Sequence, residues 1–133
     1  MVAQPWSFAV VSDRTVNASL SIAASGTWAV GYGTSANTAG EYAGSNSSTV
    51  PVSDNAIHAL AFLENGSSST VTVDGTATNV GANGTQSITS SFGVFANDSG
   101  INKLGGYIFE IGLWPSSITT ALHSNQSAYY GSP

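Results

Sequence analysis

Apolar and polar positions alternate along most of this chain. In "WSFAVVS" the residues Trp6, Phe8 and Val10 fall on one side of an extended backbone. "ASLSIA" sets Leu20 with Ile22, and "TWAVGY" sets Trp28 with Val30 and Tyr32. The same period recurs in "IHALAFLE" (His58, Leu60, Phe62), "STVTVDG" (Val71, Val73) and "SITSSFGVFA" (Ile88, Phe92, Val94). It closes in "YIFEIGLW", with Tyr107, Phe109, Ile111 and Leu113 in phase. Successive side chains of a strand point to opposite faces, so the pattern predicts strands with one face turned to a core. Residues 33–55 are mostly Gly, Ser, Thr and Asn, with one short strand predicted at 41–43. About eight strands result, joined by turn-forming residues, of which Asp74-Gly75 is the strongest hairpin signal. An antiparallel two-layer sandwich or a barrel is the architecture that buries such strands. One helix is predicted after Trp114-Pro115, with Ser116 or Ser117 as N-cap and Ile118, Ala121 and Leu122 at helical spacing. No repeat of fixed period is visible.

At 133 residues the chain is one domain and long enough to bury a core without disulfides; it has no cysteine. Charge narrows the function classes more sharply. Arg14 and Lys103 are the basic residues, against seven carboxylates and a net charge of −5. Nucleic-acid binding needs a basic surface that displaces counterions, and an anionic membrane surface needs the same, so neither is an expected partner. No segment approaches the length of a membrane span. Polarity comes instead from Ser, Thr, Asn and Gly, a surface chemistry common in secreted proteins and virion appendages. The opening "MVAQPWSFAV" has no basic n-region and no long apolar stretch, so no signal peptide is expected. A virion or extracellular location then implies export within an assembly, by lysis, or as an excised piece. Six N-x-S/T sequons, at Asn17, Asn46, Asn65, Asn83, Asn97 and Asn125, read as a product of composition.

The segments "IHALAFLENGSSSTVTVDGTAT" and "GGYIFEIGLWPSSITTALHSNQSAYYG" resemble the laminin G-like, concanavalin A-like jelly-roll superfamily. There a strand with His near its start leads into a V-D-G hairpin, and a later G-Y-I-x-E strand precedes a short helix. The closing segment is similar to C-terminal modules of tailed-phage virion proteins. The resemblance implies an all-β, concanavalin A-like jelly-roll sandwich with a short C-terminal helix, spanning residues 1–133 as one domain. It also implies a truncation, because relatives carry several strands before the position of "QPWSFAVV". A sheet edge left open by that truncation predicts a homo-oligomer, or docking on a longer chain.

Candidate chemistry is sparse. Glu110 sits in an apolar strand with Ile108, Gly112 and Trp114 on its face. Glycosidases use two carboxylates flanking the scissile bond, and members of the superfamily that hydrolyse glycans carry paired acids on one strand. No second acid lies on this strand, so Glu110 is expected to accept hydrogen bonds where strand meets helix. His58, in phase with Leu60 and Phe62, reads as a satisfied core histidine. His123 lies in the helix, and two isolated histidines make no zinc site. Serines are too frequent for any Ser–His–Asp arrangement to be argued. No cofactor is expected. Calcium, which many relatives use to hold a ligand, finds its best oxygen clusters at Asp98 with Asn97 and Asn102, then at Asp13 with Asn17. Neither has the acid density of a dedicated site.

Sugar binding asks for exposed rings beside planar polar groups. The expected ligand-binding residues are Tyr42, Asn97, Asp98, Asn102 and Trp114, with Tyr42 the first ring to be exposed. Trp6 and Trp28 read as core, and Tyr129 and Tyr130 as packing the helix onto the sandwich. The expected function is a non-enzymatic surface module of a virion or secreted assembly that binds glycans in host adhesion. The alternative is a structural virion protein, a capsid decoration or tail-fibre subunit contacting other virion subunits. Glycoside hydrolysis stands third.

Overall fold

The computed structural model describes residues 2–15, 20–25, 27–32, 37–45, 47–88, 93–94, 105–117 and 119–131. The chain runs through β1 (Trp6–Arg14), β2 (Leu20–Ala24), β3 (Ala29–Tyr32), β4 (Thr38–Tyr42) and β5 (Ser47–Pro51). It continues through β6 (Ile57–Glu64), β7 (Ser69–Val73), β8 (Thr76–Gly81), β9 (Gly93–Val94) and β10 (Gly106–Trp114) to the helix α1 (Thr119–Tyr130). Two five-stranded sheets form, in the orders β10-β1-β6-β7-β8 and β5-β4-β3-β2-β9. Neighbouring strands are antiparallel throughout. Of the sandwich or barrel that the alternation allows, this is the all-β, two-sheet sandwich, with the one C-terminal helix expected after Trp114-Pro115.

The core lies between the sheets. Trp6, Phe8 and Val10 of β1, with Leu60 and Phe62 of β6, pack with Ile22, Trp28, Val30 and Tyr32 of the opposite sheet. The Trp6 and Trp28 rings meet edge to face at 5.3 Å. Each large apolar side chain so buried contributes roughly 1.5–3 kcal/mol. The Asp74-Gly75 turn forms as expected, with φ of 47° and 88° closing the β7–β8 hairpin. Two positive φ values in succession mark the type I′ geometry that matches strand twist. β5 and β8 were not expected as strands, because Ser, Thr and Asn hide their alternation.

β1 and β6 are buried on both faces. Their reverse faces carry Ala9 and Val11 opposite Ala61 and Ala59, and α1 lies across these two strands. The small alanine side chains let a helix approach closely. The Ser7 hydroxyl donates to the Ser116 carbonyl at 2.7 Å, tying the link before α1 to the sheet.

β10 departs from the expected single apolar face. Its register to β1 shifts, with Glu110 opposite Val11 and Ile108 opposite Ser12, leaving Phe109 as the extra residue. A bulge of this kind breaks the period of two. Leu113, Ile111 and Ile108 therefore share the side of Phe8, Val10 and Ser12; Leu113 and Ile108 pack against the core, while Ile111 remains 39 % exposed. Tyr107 and Phe109 turn to the helix side instead and are exposed. Glu110 keeps Gly112 and Trp114 as face-mates but loses Ile108.

Candidate functional site

Asn97, Asp98 and Asn102, the expected polar half of a ligand site, lie outside the described residues, as does Asn17. The expected rings are not brought together. Tyr42, expected to be exposed, is half-buried in β4, where it alternates with the buried Glu41 and Ala43. That places it on the outer face of the second sheet. Trp114 ends β10 on the helix side of the first sheet, its ring lying where a Cβ on Gly112 would be. The two rings occupy opposite outer faces of the sandwich. Trp6 and Trp28 are core residues, as expected.

Glu110 sits where strand meets helix. The buried Gln126 of α1 donates its Nε2 hydrogen to Glu110 Oε1 at 3.0 Å. Beside this pair runs a file of rings. Tyr107 and Phe109 have centroids 6.4 Å apart, Phe109 and Tyr130 6.2 Å, and Tyr129 meets Tyr130 edge-on at 4.8 Å. Tyr107 is 63 % exposed, Phe109 47 % and Tyr129 80 %. Partial desolvation, then the Glu110 carboxylate, raises the Tyr130 phenol above its ordinary pKa. Tyr130 packs onto the strand as expected, whereas Tyr129 faces solvent. The bulge at Phe109 puts both strand rings on the side of the helix rings, and a strict period of two cannot reveal that.

The structure assembles a serine, a histidine and an aspartate that the frequency of serine kept the sequence from singling out. His58 Nδ1 meets Asp74 Oδ2 at 2.5 Å, and Ser53 Oγ meets His58 Nε2 at 2.8 Å. The second Asp74 oxygen accepts from the Ala59 amide at 2.9 Å. Acyl transfer by such a relay also needs donors for an oxyanion near the serine. The amides that follow Ser53 are committed elsewhere: Asp54 N–H donates to Asn37 Oδ1 at 3.1 Å and Asn55 N–H to the Arg14 carbonyl at 2.9 Å. The relay joins the loop before β6 to the β7–β8 turn, and His58 is the satisfied, buried histidine expected. Close by, the buried Arg14 guanidinium pairs with Asp54 and lies over the Tyr32 ring at 4.6 Å.

A second cluster was not anticipated. Glu41 of β4 pairs in register with Val30, and Glu64 of β6 with Trp6, so both carboxylates enter the core from opposite sheets. Glu41 is 2 % exposed, and Glu64 and Asn83 are 0 %. Asn83 Nδ2 donates to Glu41 Oε1 at 2.8 Å, and Ser69 Oγ lies 3.2 Å from Glu64 Oε2. Burial first, then the Glu64 charge, pushes Glu41 up to about 10 against the opposing Asn83 bond. Burial pushes Glu64 up to about 7. Glu41 Oε2, Glu64 Oε1 and Asn83 Oδ1 are buried without a hydrogen-bond partner. A signal did exist, because Glu64 is in phase with His58, Leu60 and Phe62. Among the described residues no three His, Cys, Asp or Glu side chains gather as metal ligands; here two acids are joined by an amide.

Among the described residues no helix is long and apolar enough to cross a membrane. No family model matches the chain, and no curated protein sequence matches it.

Proposed function

We propose that this chain is a non-enzymatic, glycan-binding module of concanavalin A-like jelly-roll type, displayed on a virion or another extracellular assembly. The observation that carries the reading is the solvent-facing file Tyr107, Phe109, Tyr130 and Tyr129 beside Glu110 and Gln126. Aromatic faces stack on the apolar face of a pyranose, and the neighbouring half-buried Glu110 carboxylate, held in place by the buried Gln126, can accept from its hydroxyls. A strand and a helix hold the rings, so little ordering is needed on binding. The two antiparallel sheets, with His58 at the start of β6 and the Asp74-Gly75 hairpin, support the jelly-roll assignment.

Hydrolysis is disfavoured by the placement of the acids. Glu110 has Gln126 as its partner rather than a second acid, and the Glu41–Glu64 pair is buried where no sugar ring reaches. A glycosidase needs two carboxylates on either side of an accessible bond.

A glycan array tests the proposal. The wild-type protein is expected to retain a defined set of sugars, and Tyr107→Ala, Phe109→Ala and Tyr129→Ala each to weaken binding at least about tenfold. A wild-type protein that retains no glycan overturns the reading, as does full binding by the triple variant.

A further inference from the structure

We propose that the ring file beside Glu110 takes an amino glycan, a chain of de-acetylated hexosamine units, by way of its ammonium groups. The inference rests on the glycan-binding reading and names the class of sugar that the same site prefers. Four rings and one half-buried carboxylate meet where β10 faces α1, with Tyr107, Phe109 and Tyr129 open to solvent.

The polar groups around the rings are acceptors short of donors and of positive charge. Glu110 Oε1 accepts one hydrogen from the neutral Gln126 amide at 3.0 Å, which leaves the carboxylate charge in place. Gln126 Oε1 is buried without a hydrogen-bond partner. At the other end of the file Asp13 is the register partner of Tyr107, and its Oδ1 is buried and unpartnered as well. Directly opposed residues of an antiparallel pair hold their Cβ atoms about 5 Å apart, so Asp13 adds its charge beside the Tyr107 ring. Among the described residues no cation answers these groups. Arg14 is engaged by Asp54, and His58 by Asp74 and Ser53. Buried acceptors lie where water screens them least, so the face carries a negative potential.

An ammonium group meets that demand. It brings three N–H donors, no acceptor and one positive charge, whereas a hydroxyl adds lone pairs to a face already rich in them. Aromatic faces attract a cation held within about 6 Å of the ring centroid. A glycan of uronic or sialic acids would instead meet Glu110 and Asp13 with like charge. The number of rings favours a sugar chain over a lone amine. One ammonium engages the ring or two beside it, and four rings at successive steps of 6.4, 6.2 and 4.8 Å leave apolar faces over. Each unit of an amino glycan supplies both a flat apolar pyranose face and a cation.

Titration calorimetry with two oligomers of equal length provides the test, one of N-acetylglucosamine and one of glucosamine, at a mildly acidic pH that protonates the free amines. The glucosamine oligomer is expected to bind at least about tenfold more tightly. Tyr129→Ala is expected to weaken that binding at least about tenfold, a loss that general attraction to a chain of net charge −5 does not produce. Glu110→Gln keeps an acceptor for Gln126 and is expected to bring the two oligomers within about twofold of each other. Equal or tighter binding of the acetylated oligomer overturns the inference and leaves the glycan-binding reading standing. Absence of binding to the glucosamine oligomer overturns it as well, and the glycan array then shows whether the broader reading falls with it. Binding undiminished by Tyr129→Ala, or displaced by an oligolysine of equal charge at equal concentration, overturns it too, because charge alone is then recognised.

Discussion

At the scale of single residues, seven carboxylates in 133 positions take contrasting roles according to what surrounds them. Glu110, central to the last apolar strand, is held by Gln126 beside a row of exposed rings. Asp54 and Asp74 are consumed by Arg14 and His58. Glu41 and Glu64 are both buried in the core, and that has a measurable consequence. Both folded-state pKa values are raised above the unfolded value of 4.5. Between that value and about 7 the folded state holds protons that the unfolded chain has released. Unfolding therefore releases protons, and stability must fall as pH rises through this window. The protein is expected to melt at a lower temperature at about pH 8 than at about pH 5, with the slope reduced in Glu64→Gln. A flat or rising profile across that range would show that the two acids are hydrated.

At the scale of elements, the segment after β8 turns on one glycine. Gly84 has φ of 126°, and a Cβ there would run into the Ala43 carbonyl oxygen, which accepts from the Gln86 amide at 3.2 Å. Backbone strain and collision with an immobile carbonyl add, so Gly84→Ala is expected to cost roughly 2–4 kcal/mol. Gly81 also has a positive φ, 77°, but open space around it. Gly81→Ala should cost only about 1 kcal/mol, the strain alone. Thermal melts of the two variants separate close approach from backbone conformation, and equal losses would remove the packing argument.

At the scale of the whole molecule, β10 and β8 bound one sheet and β5 and β9 the other. The exposed run Thr76, Ala77, Thr78 and Asn79 gives the β8 edge no charge with which to repel a second strand. Unguarded edges recruit partners. The chain is therefore expected to self-associate in light scattering, and Thr78→Lys to shift it toward monomer. A stable wild-type monomer at micromolar concentration would mean that the edges are tolerated bare.

Alternation along the chain was sufficient to narrow the architecture to an antiparallel sandwich or barrel and to read the aromatic core of Trp6 and Trp28, the buried state of His58 and the Asp74-Gly75 turn. These follow from local preferences and from a period of two that acts wherever one face is buried. The closing of two separate sheets is a result of packing. β5 and β8 escaped because serine and threonine can occupy either face, so their pattern carries no phase. The candidate sites escaped for a different reason. Inserting Phe109 as a bulge reverses the faces of β10, and only pairing with β1 decides where that insertion falls. The ring file needs α1 to return across β1 and β6. The Glu41–Glu64–Asn83 cluster needs two sheets to close on each other and the segment after β8 to dock on β4. Ser53 is one serine among many until the loop before β6 carries it to His58. Side-chain phase is a property of neighbours in sequence, whereas convergence of charge and rings is a property of packing, which tertiary structure alone decides.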